Sequence, residues 1–420
     1  MPGRRRAPSV PAMTSTTPFR VVVAGGGVAG IEALLALHDL AGDRVELTLV
    51  DAQPNFVYKP LLVADLFLRD RVRHVSMAEV ARDTGARLVP DVVASVDDGD
   101  RVAVTQGGER LRYDALLLAT GVTSVPAYRH ALTWDERSGN ERIAGLLSDI
   151  EQGHARRVAF VVPPGPGWPL PAYELALMTA HQAWDAQQRP QITLITPEPA
   201  PLAVFGRAAT AAIRAELELA GIGFHGCSYA DVEKGAHAAT VVVHPGMRRI
   251  DVDRVVALPR LLGRPPAGVP ADATGFLAVD AHGKVHGLRH VWAAGDGIAF
   301  PVKFGGLAAE QADAAAEAIA ASAGAAVVPR PFRPVLRGQL LTGTSARFIR
   351  HADGGGGGEG VVSRRPLWWP PGKVAGLWIG PYLAARDRTA PGEAAPAPAP
   401  DGGIPLQTDL GPALEGAAGR

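Results

Sequence analysis

The stretch from Arg20 to Asp51 reads RVVVAGGGVAGIEALLALHDLAGDRVELTLVD, and it decides the fold. It begins with an apolar run, Val21 to Ala24, that is short enough to be a buried strand. Three glycines with the spacing Gly-x-Gly-x-x-Gly follow, and then apolar residues at helical spacing. A second apolar strand, Val45 to Val50, ends in an acid, Asp51, twenty-one residues after the last of these glycines. This strand–turn–helix–strand unit is typical of proteins that bind an ADP group.

Each glycine of the turn has its own expected task. Gly25 permits the tight turn, Gly27 lets the backbone approach a pyrophosphate, and Gly30 lets the helix pack close to the sheet. The helix N-terminus offers unpaired N–H groups to the phosphates, and Asp51 can accept hydrogen bonds from a ribose. A glycine-rich structural turn is the alternative. The flanking strands and the acid at this distance favour the nucleotide site.

Composition sets the outer limits. The chain has 420 residues, which is too long for one typical core, so two domains with extensions are expected. A formal net charge of zero disfavours nucleic acid as a partner. The single cysteine, Cys227, excludes an internal disulfide and suits a reducing compartment. No apolar run reaches the roughly 18 residues of a membrane span, and the histidines show no metal-ligand spacing, so no metal is predicted.

Two further apolar strands end in glycine-containing signatures, Ala119-Thr120-Gly121 and Ala294-Gly295-Asp296. Between them, strand-like and helix-like segments alternate: 157–162, 173–184, 191–196, 208–220 and 240–244. We therefore predict an α/β fold with two Rossmann-like domains, the second parallel α/β unit inserted in the first, and a small C-terminal cap. The predicted boundaries are a disordered leader at 1–18, a dinucleotide-binding domain at 19–150 and 266–330, an inserted domain at 151–265, a cap at 331–385 and a disordered tail at 386–420.

The three signatures, in this order, resemble those of the two-dinucleotide-domain flavoproteins, the pyridine nucleotide–disulfide oxidoreductase superfamily. Within it, the chain from about Phe19 to Leu383 is most similar to the branch of type II NADH dehydrogenases and sulfide:quinone oxidoreductases. The resemblance implies FAD as cofactor, with Gly25, Gly27 and Gly30 at its pyrophosphate and Asp51 at the adenosine ribose.

The other matched positions acquire roles from the same resemblance. Thr120 and Gly121 would pass close to the cofactor, and Asp296, after Gly295, would bind a ribityl hydroxyl. The helix that begins at Gly305 would direct its N-terminus at the pyrimidine end of the flavin. For Asp296 alone, a turn or a helix cap is the alternative.

Catalytic candidates follow from position relative to the implied flavin. Pro60 can pack beside the flavin ring, and Lys59 can supply positive charge or be a solvated loop residue. Lys303 can reach the flavin or a bound acceptor. Glu174 can relay protons near the reactive face or act as a first-turn helix cap, and both interpretations stay open.

The inserted domain departs from the family at its own glycine motif. Aligned on Glu174-Leu175-Ala176, the three glycine positions become Gly167, Pro169 and Ala172. Proline gives no N–H to a phosphate and adds bulk where a pyrophosphate must approach. The next strand ends in Thr196-Pro197 rather than an acid, although Glu198 follows. We therefore predict weak binding of NAD(P)H.

Two other family features are altered. Sulfide oxidation in the related enzymes works through cysteines close to the flavin, whereas Cys227 lies in the inserted domain and is expected to be structural or incidental. Where type II NADH dehydrogenases carry a glutamine-containing quinone motif, this chain has Gly306 and Glu310, followed by Gln311. We favour a polar helix face for Glu310 and Gln311.

Paired tryptophans beside Lys373 in the cap fit a bilayer interface, packing over the flavin or a dimer interface, and we favour packing. The predicted function is an FAD-dependent oxidoreductase that passes electrons from an unidentified small-molecule donor through a non-covalent flavin to an acceptor, with a quinone as one candidate. The alternatives are an NAD(P)H dehydrogenase with a remodelled second domain and a non-catalytic flavin-binding protein. A cytoplasmic location, peripheral contact with the inner face of the membrane and a homodimer are further expectations.

Overall fold

A computed structural model describes residues 18–68, 74–135, 138–235, 239–351 and 360–386. The predicted leader and tail lie outside the described residues, apart from position 18 and position 386. Eight α-helices are found within these ranges: α1 Val28–Ala41, α2 Leu62–Leu68, α3 Met77–Thr84, α4 Gly139–Glu151, α5 Leu170–Asp185, α6 Arg207–Leu219, α7 Gly305–Ser322 and α8 Ile379–Arg386. Short 3-10 helices occur at Gly42–Arg44, Lys59–Leu61 and Ala203–Phe205.

The strands of the same ranges are numbered in chain order. They are β1 Phe19–Ala24, β2 Val45–Val50, β3 Asn55–Val57, β4 His74–Ser76, β5 Arg87–Val89, β6 Val93–Asp97, β7 Val102–Thr105, β8 Arg110–Arg112, β9 Ala115–Leu118, β10 Val122–Val125, β11 Leu132–Thr133, β12 Arg157–Val161, β13 Gln191–Ile195, β14 Gly223–His225, β15 Tyr229–Lys234, β16 Ala239–His244, β17 Arg248–Val252, β18 Arg254–Ala257, β19 Arg260–Gly263, β20 Val291–Ala293, β21 Leu336–Leu341, β22 Ala346–His351 and β23 Val361–Ser363.

The first sheet is parallel and has the strand order β20-β9-β1-β2-β5. Its central strands are continuous apolar runs because both of their faces are covered. Helices α1 and α7 pack together on one face, through residues such as Leu34 and Ile319. The antiparallel sheet β6-β7-β8 covers the other face through Val96 and Leu111. The carboxyl ends of β1, β9 and β20 therefore meet at one edge, where the three glycine-containing signatures lie.

The second sheet is also parallel, with the order β11-β18-β12-β13-β14. In sequence it lies between β9 and β20 of the first sheet, so the predicted insertion of one α/β unit in another is confirmed. The antiparallel pair β10 and β19 joins the two units where the chain passes between them. The exact domain boundaries stay predictions.

One strand assignment needs correction. Thr240–His244 is a strand, as expected, but it belongs to the antiparallel sheet β15-β16-β17 and not to the parallel sheet. The turn at Pro245-Gly246-Met247, with positive φ at its last two residues, returns the chain along β16. The parallel sheet takes its strand from Arg254–Ala257 instead.

The C-terminal part packs on both units. Strand β21 lies against the start of α5, where a Cβ at Gly338 would come within 2.7 Å of Phe205 and 3.2 Å of Leu170. Farther along, the buried carboxylate of Glu32 in α1 accepts hydrogen bonds from the N–H groups of Trp378 (3.0 Å) and Ile379 (2.6 Å), where α8 begins. The cap is thereby fixed to the first helix of the chain.

Candidate functional site

The glycine turn between β1 and α1 is shaped by two close backbone contacts. Gly25 has φ +111°, and a Cβ there would lie 2.2 Å from the carbonyl oxygen of Ala119. A Cβ on Gly30 would lie 1.8 Å from the carbonyl oxygen of Gly25. Gly27 is different, because a Cβ there would meet no protein atom within 4 Å. Gly25 and Gly30 are therefore required by packing, whereas Gly27 faces open space.

Asp51 holds this turn in place. One carboxylate oxygen accepts a hydrogen bond from the N–H of Gly26 (2.5 Å), and the other accepts one from the N–H of Gln53 (2.7 Å). Asp51, immediately after β2, therefore fixes the backbone of the glycine turn through Gly26. Its predicted contact with a ribose stays a prediction.

A cavity of about 750 Å³ opens at the carboxyl edge of the first sheet. Its volume is within the range of ligand and cofactor pockets. It is lined by every predicted cofactor or catalytic residue except Gly30: Gly25, Gly27, Asp51, Lys59, Pro60, Thr120, Gly121, Glu174, Gly295, Asp296, Lys303 and Gly305. Gly30 lies outside the lining, as its expected packing role requires.

The shape and chemistry of this cavity fit a dinucleotide such as FAD. Gly27 and Gly121 present bare backbone to it, and a Cβ at either position would project into open space. The N-terminus of α1, capped by Gly27, and that of α7, capped by Phe304, both reach it. Two helix N-termini and two exposed backbone segments provide the N–H groups that phosphates and a flavin ring require.

The polar residues of α7 do not form a solvated face, so the interpretation favoured for Glu310 and Gln311 is wrong. Gln311 is buried and accepts a hydrogen bond from the N–H of Gly295 (2.9 Å). Glu310 forms an ion pair with Arg337 (2.6 Å) and accepts a hydrogen bond from the N–H of Val335 (2.9 Å). These side chains fix the Gly295 turn and the start of β21, both of which border the cavity.

Lys303 is a buried lysine that lies two residues before α7 and lines the cavity. Its Nζ donates a hydrogen bond to the carbonyl oxygen of Ile298 and lies 4.1 Å from the centre of the Phe276 ring. Burial lowers the pKa of Lys303 to about 8, although the carboxylates of Asp296 and Asp272 oppose the shift. Lys59 and Pro60, which also line the cavity, lie in the 3-10 turn that precedes α2.

Glu174 lies in the second turn of α5, and it does not cap that helix. Its carboxylate forms a buried ion pair with Lys373 of the cap and accepts a hydrogen bond from the N–H of Leu341 in β21 (2.8 Å). Lys373 also donates to the carbonyl oxygen of Gln339 (2.9 Å). Burial raises the pKa of Glu174, and Lys373 opposes the shift. The capping alternative is therefore wrong, and the proton-relay role stays a prediction.

The degraded glycine motif of the inserted unit produces a blunt helix end. Pro169 occupies the N-cap of α5, and Pro171 lies in its first turn, so neither offers an N–H. Trp168, immediately before them, stacks on Phe304 with ring centres 4.5 Å apart and an interplanar angle of 18°. The Trp168 side chain therefore lies beside the N-terminus of α5, where a pyrophosphate would bind. Trp168 was missed at the sequence level, although a tryptophan within a degraded glycine motif is a usable signal.

Glu198, the acid nearest to the end of β13, is bonded within its own unit. One carboxylate oxygen accepts hydrogen bonds from the Tyr173 hydroxyl (2.7 Å) and the Thr196 hydroxyl (3.1 Å). Burial raises the pKa of Glu198 to about 7, although both hydroxyls oppose the shift. Nothing in the sequence pointed to Tyr173 as the partner, because the hydroxyl comes from a different element.

The only cysteine of the chain lies away from the cavity wall. Cys227 is exposed, has φ +50°, and donates its N–H to the carbonyl oxygen of Glu198 (2.8 Å). Within the described ranges, no group of three or more metal-binding side chains is positioned to hold a metal ion. No helix in that part of the chain has the length and apolar character needed to cross a membrane.

The structure combines two Rossmann-like units, and the first of them borders a cavity that fits a dinucleotide such as FAD. Residues 19–321 match the pyridine nucleotide–disulphide oxidoreductase family, and the chain belongs to that family. Membership confirms the predicted superfamily, its FAD cofactor and its class, since these proteins are flavin-dependent oxidoreductases.

Individual relatives are more distant. The sulfide-quinone reductase of Aquifex aeolicus is 27% identical over 198 residues, which span 43% of this chain and 43% of that protein. The solved sulfide:quinone oxidoreductase of Aquifex aeolicus superposes with a TM-score of 0.70 at 19% identity, covering 82% of this chain and 86% of that one. A water-forming NADH oxidase from Lactobacillus brevis superposes with a TM-score of 0.59 at 13% identity, covering 79% and 75%. These superpositions show a common fold.

Proposed function

We propose that this protein is an FAD-dependent oxidoreductase that takes electrons from a small-molecule donor other than NAD(P)H and passes them to a quinone. The observation that carries the proposal is the blunt N-terminus of α5, where Pro169, Pro171 and the stacked Trp168 border the FAD cavity.

In this proposal the first unit binds FAD without a covalent link. The turn at Gly25 and Gly27 and the N-terminus of α1 bind the pyrophosphate, and Asp51 binds the adenosine ribose. Thr120, Gly121, Gly295 and Asp296 border the ribityl and flavin part, and Gly305 begins the helix that stabilises negative charge on the reduced ring. Bound flavin supplies reversible two-electron chemistry.

Loss of the nicotinamide site follows from two changes in the inserted unit. An efficient hydride donor must be held against the flavin by contacts to its pyrophosphate and ribose. The proline-capped N-terminus of α5 provides fewer N–H groups for the pyrophosphate. Glu198, the acid that could bind the ribose, already accepts hydrogen bonds from Tyr173 and Thr196. Hydrogen bonds to charged groups contribute about 1.5–3 kcal/mol each, so losing them weakens binding strongly.

The quinone acceptor is supported by the character of the cavity wall and by the named relative. Planar aromatic side chains, Trp168 and Phe304, line the cavity together with apolar residues such as Leu170 and Val302. A flat apolar ring system with polar oxygens matches that surface. The cavity lining contains no cysteine, so sulfide oxidation through a flavin-adjacent thiol has no support in this chain.

Three charged residues complete the proposed site. Lys59 and Lys303 supply positive charge beside the reduced cofactor, where a negative ring is stabilised by nearby cations. Glu174, held by Lys373, is the carboxyl through which a proton is relayed.

Anaerobic titration of the purified yellow protein tests this function. NADH, NADPH, sulfide and dithionite are added in turn while the flavin absorbance is followed, and a short-chain quinone is then added to the reduced protein. We expect bleaching by dithionite, at most slow bleaching by the nicotinamides, and rapid recovery of absorbance with quinone. A reduced flavin that is not reoxidised by quinone would contradict the proposed acceptor and favour a non-catalytic flavin protein.

Peripheral contact with the inner face of the membrane is the location that this function implies for a lipid-soluble acceptor. Trp369 and Leu377 are exposed hydrophobic residues of the cap, whereas Trp368 packs edge-to-face on Phe348. Flotation with vesicles tests the contact, and Trp369→Ser is expected to weaken it. The homodimer stays a prediction that light scattering can test.

A further inference from the structure

We propose that His351, at the end of β22, binds the acceptor in the cavity and donates the proton that completes its reduction. The inference rests on the proposed quinone function and assigns a residue to it. His351 is 3% exposed and lines the cavity from the C-terminal sheet.

The unusual feature of His351 is that neither ring nitrogen has a hydrogen-bond partner among the described residues. A buried polar group without a partner is costly, and most such groups in folded proteins are paired. Among the buried side-chain nitrogen and oxygen atoms that lack a hydrogen-bond partner in the described part of the chain, only those of His351 belong to a residue that borders the cavity. A ligand in the cavity would satisfy it.

The neighbouring charged groups are already engaged. Lys373 donates to Glu174 and to the carbonyl oxygen of Gln339, and Lys303 donates to the carbonyl oxygen of Ile298. Each of these bonds is made within the protein. The His351 imidazole is therefore the group on this wall whose polar atoms still require a partner from the cavity.

A quinone carbonyl oxygen is the partner that fits both the imidazole and the aromatic wall. Reduction of a quinone to a quinol takes up two electrons and two protons. Bound reduced flavin would supply both electrons and one proton as a hydride, so one more proton would be required from the protein. His351 acts as the general acid: a ring N–H transfers this proton to the carbonyl oxygen, and the ring takes a proton back from solvent.

Two variants separate binding from proton donation. His351→Gln keeps an N–H donor but cannot transfer a proton, whereas His351→Phe loses both properties. The flavin is first reduced with dithionite, which removes any dependence on the unknown donor. Reoxidation by a short-chain ubiquinone is followed by stopped flow, and its dissociation constant is measured from quenching of tryptophan fluorescence. His286→Gln, at an exposed histidine outside the cavity lining, is the matched control.

We expect His351→Phe to raise the dissociation constant about tenfold and to slow reoxidation at saturating quinone about a hundredfold. His351→Gln should bind nearly as the wild type does and still reoxidise slowly. The melting temperature of His351→Phe should not fall, because an apolar ring replaces a buried imidazole that has no hydrogen-bond partner in the protein. If the role of His351 were only structural, this substitution would lower the melting temperature. A reoxidation rate within threefold of wild type in both variants would overturn the role of His351 but leave the proposed quinone acceptor intact. A wild-type protein that neither binds nor reduces the quinone would overturn the proposed acceptor as well.

Discussion

Lys373 of the cap and Glu174 of helix α5 form an ion pair in which both side chains are buried, at 7% and 2% exposure. The two residues are 199 positions apart, and the pair fastens the C-terminal segment to the inserted unit beside the cavity. Because the N–H of Leu341 also donates to Glu174, helix α5, strand β21 and the cap meet at one carboxylate.

Breaking this pair from one side should be strongly destabilising. Lys373→Met leaves Glu174 buried without its counter-charge, which typically costs about 3–5 kcal/mol. The loss should grow as pH rises from the ordinary pKa of a glutamate towards the raised pKa of Glu174, because the unfolded chain then ionises a carboxyl that the folded variant, lacking the counter-charge, keeps protonated. Thermal unfolding at several pH values measures this.

The double variant Lys373→Met with Glu174→Gln removes the unpaired charge and should recover much of the stability. Lys234→Met, at an exposed lysine, is the matched control and should change little. Equal losses in the single and double variants would show that the pair does not explain the effect.

The first two glycines of the turn should respond differently to valine. Gly27→Val should fold and purify without FAD, because its side chain enters the cavity and meets no protein atom nearby. Gly25→Val should instead destabilise the protein, because its Cβ would clash with the carbonyl oxygen of Ala119. The flavin released by acid precipitation and the melting temperature distinguish the two. Full flavin content in Gly27→Val would contradict the assignment of the phosphate path.

Glu198 should make stability depend on pH. Its folded pKa of about 7 lies above the ordinary 4.5, so the folded state holds this proton more tightly than the unfolded state. The wild type therefore loses stability as pH rises between these values, and Glu198→Gln, which imitates the neutral carboxyl, does not. The variant should match the wild type at about pH 5 and be more stable at about pH 8. If the variant and the wild type differed in free energy of unfolding by the same amount at both pH values, the raised pKa of Glu198 would be contradicted.

Cys227→Ser should leave flavin content and turnover close to wild type. The thiol is exposed and lies outside the cavity lining, so it has no path to the flavin ring. A loss of activity beyond about tenfold, roughly 1.4 kcal/mol of activation free energy, would show that the thiol takes part. Sulfur chemistry would then have to be reconsidered for this chain.

The sequence was sufficient for the first unit because its signals are local. A glycine turn, an adjacent strand and an acid at a set distance are encoded within 20–51, and they predict both the element and its ligand. The second unit was harder to predict, because β16 and β18 are both short valine-rich strands. Their sequences do not show which of them joins the parallel sheet.

Pairings between distant elements could not be predicted. Gln311 accepting from Gly295, Glu198 facing Tyr173, and His351 lining the cavity all depend on how separate elements pack. Periodicity can mark a residue as polar or apolar, but it does not say which carboxylate meets which donor. The motifs therefore located the glycines and several charged side chains that line the cavity, whereas the partners of those side chains, and residues such as Trp168 and His351, depend on tertiary structure.

Stopped-flow absorbance at the flavin band tests most directly whether this flavoprotein uses NAD(P)H. We predict that NADH and NADPH reduce the flavin slowly, with rates that rise without saturation through ordinary cellular concentrations, because Pro169 and the engaged Glu198 leave the nucleotide poorly held. Fast, saturable reduction by either nucleotide at micromolar concentrations would contradict the account and identify the protein as an NAD(P)H dehydrogenase.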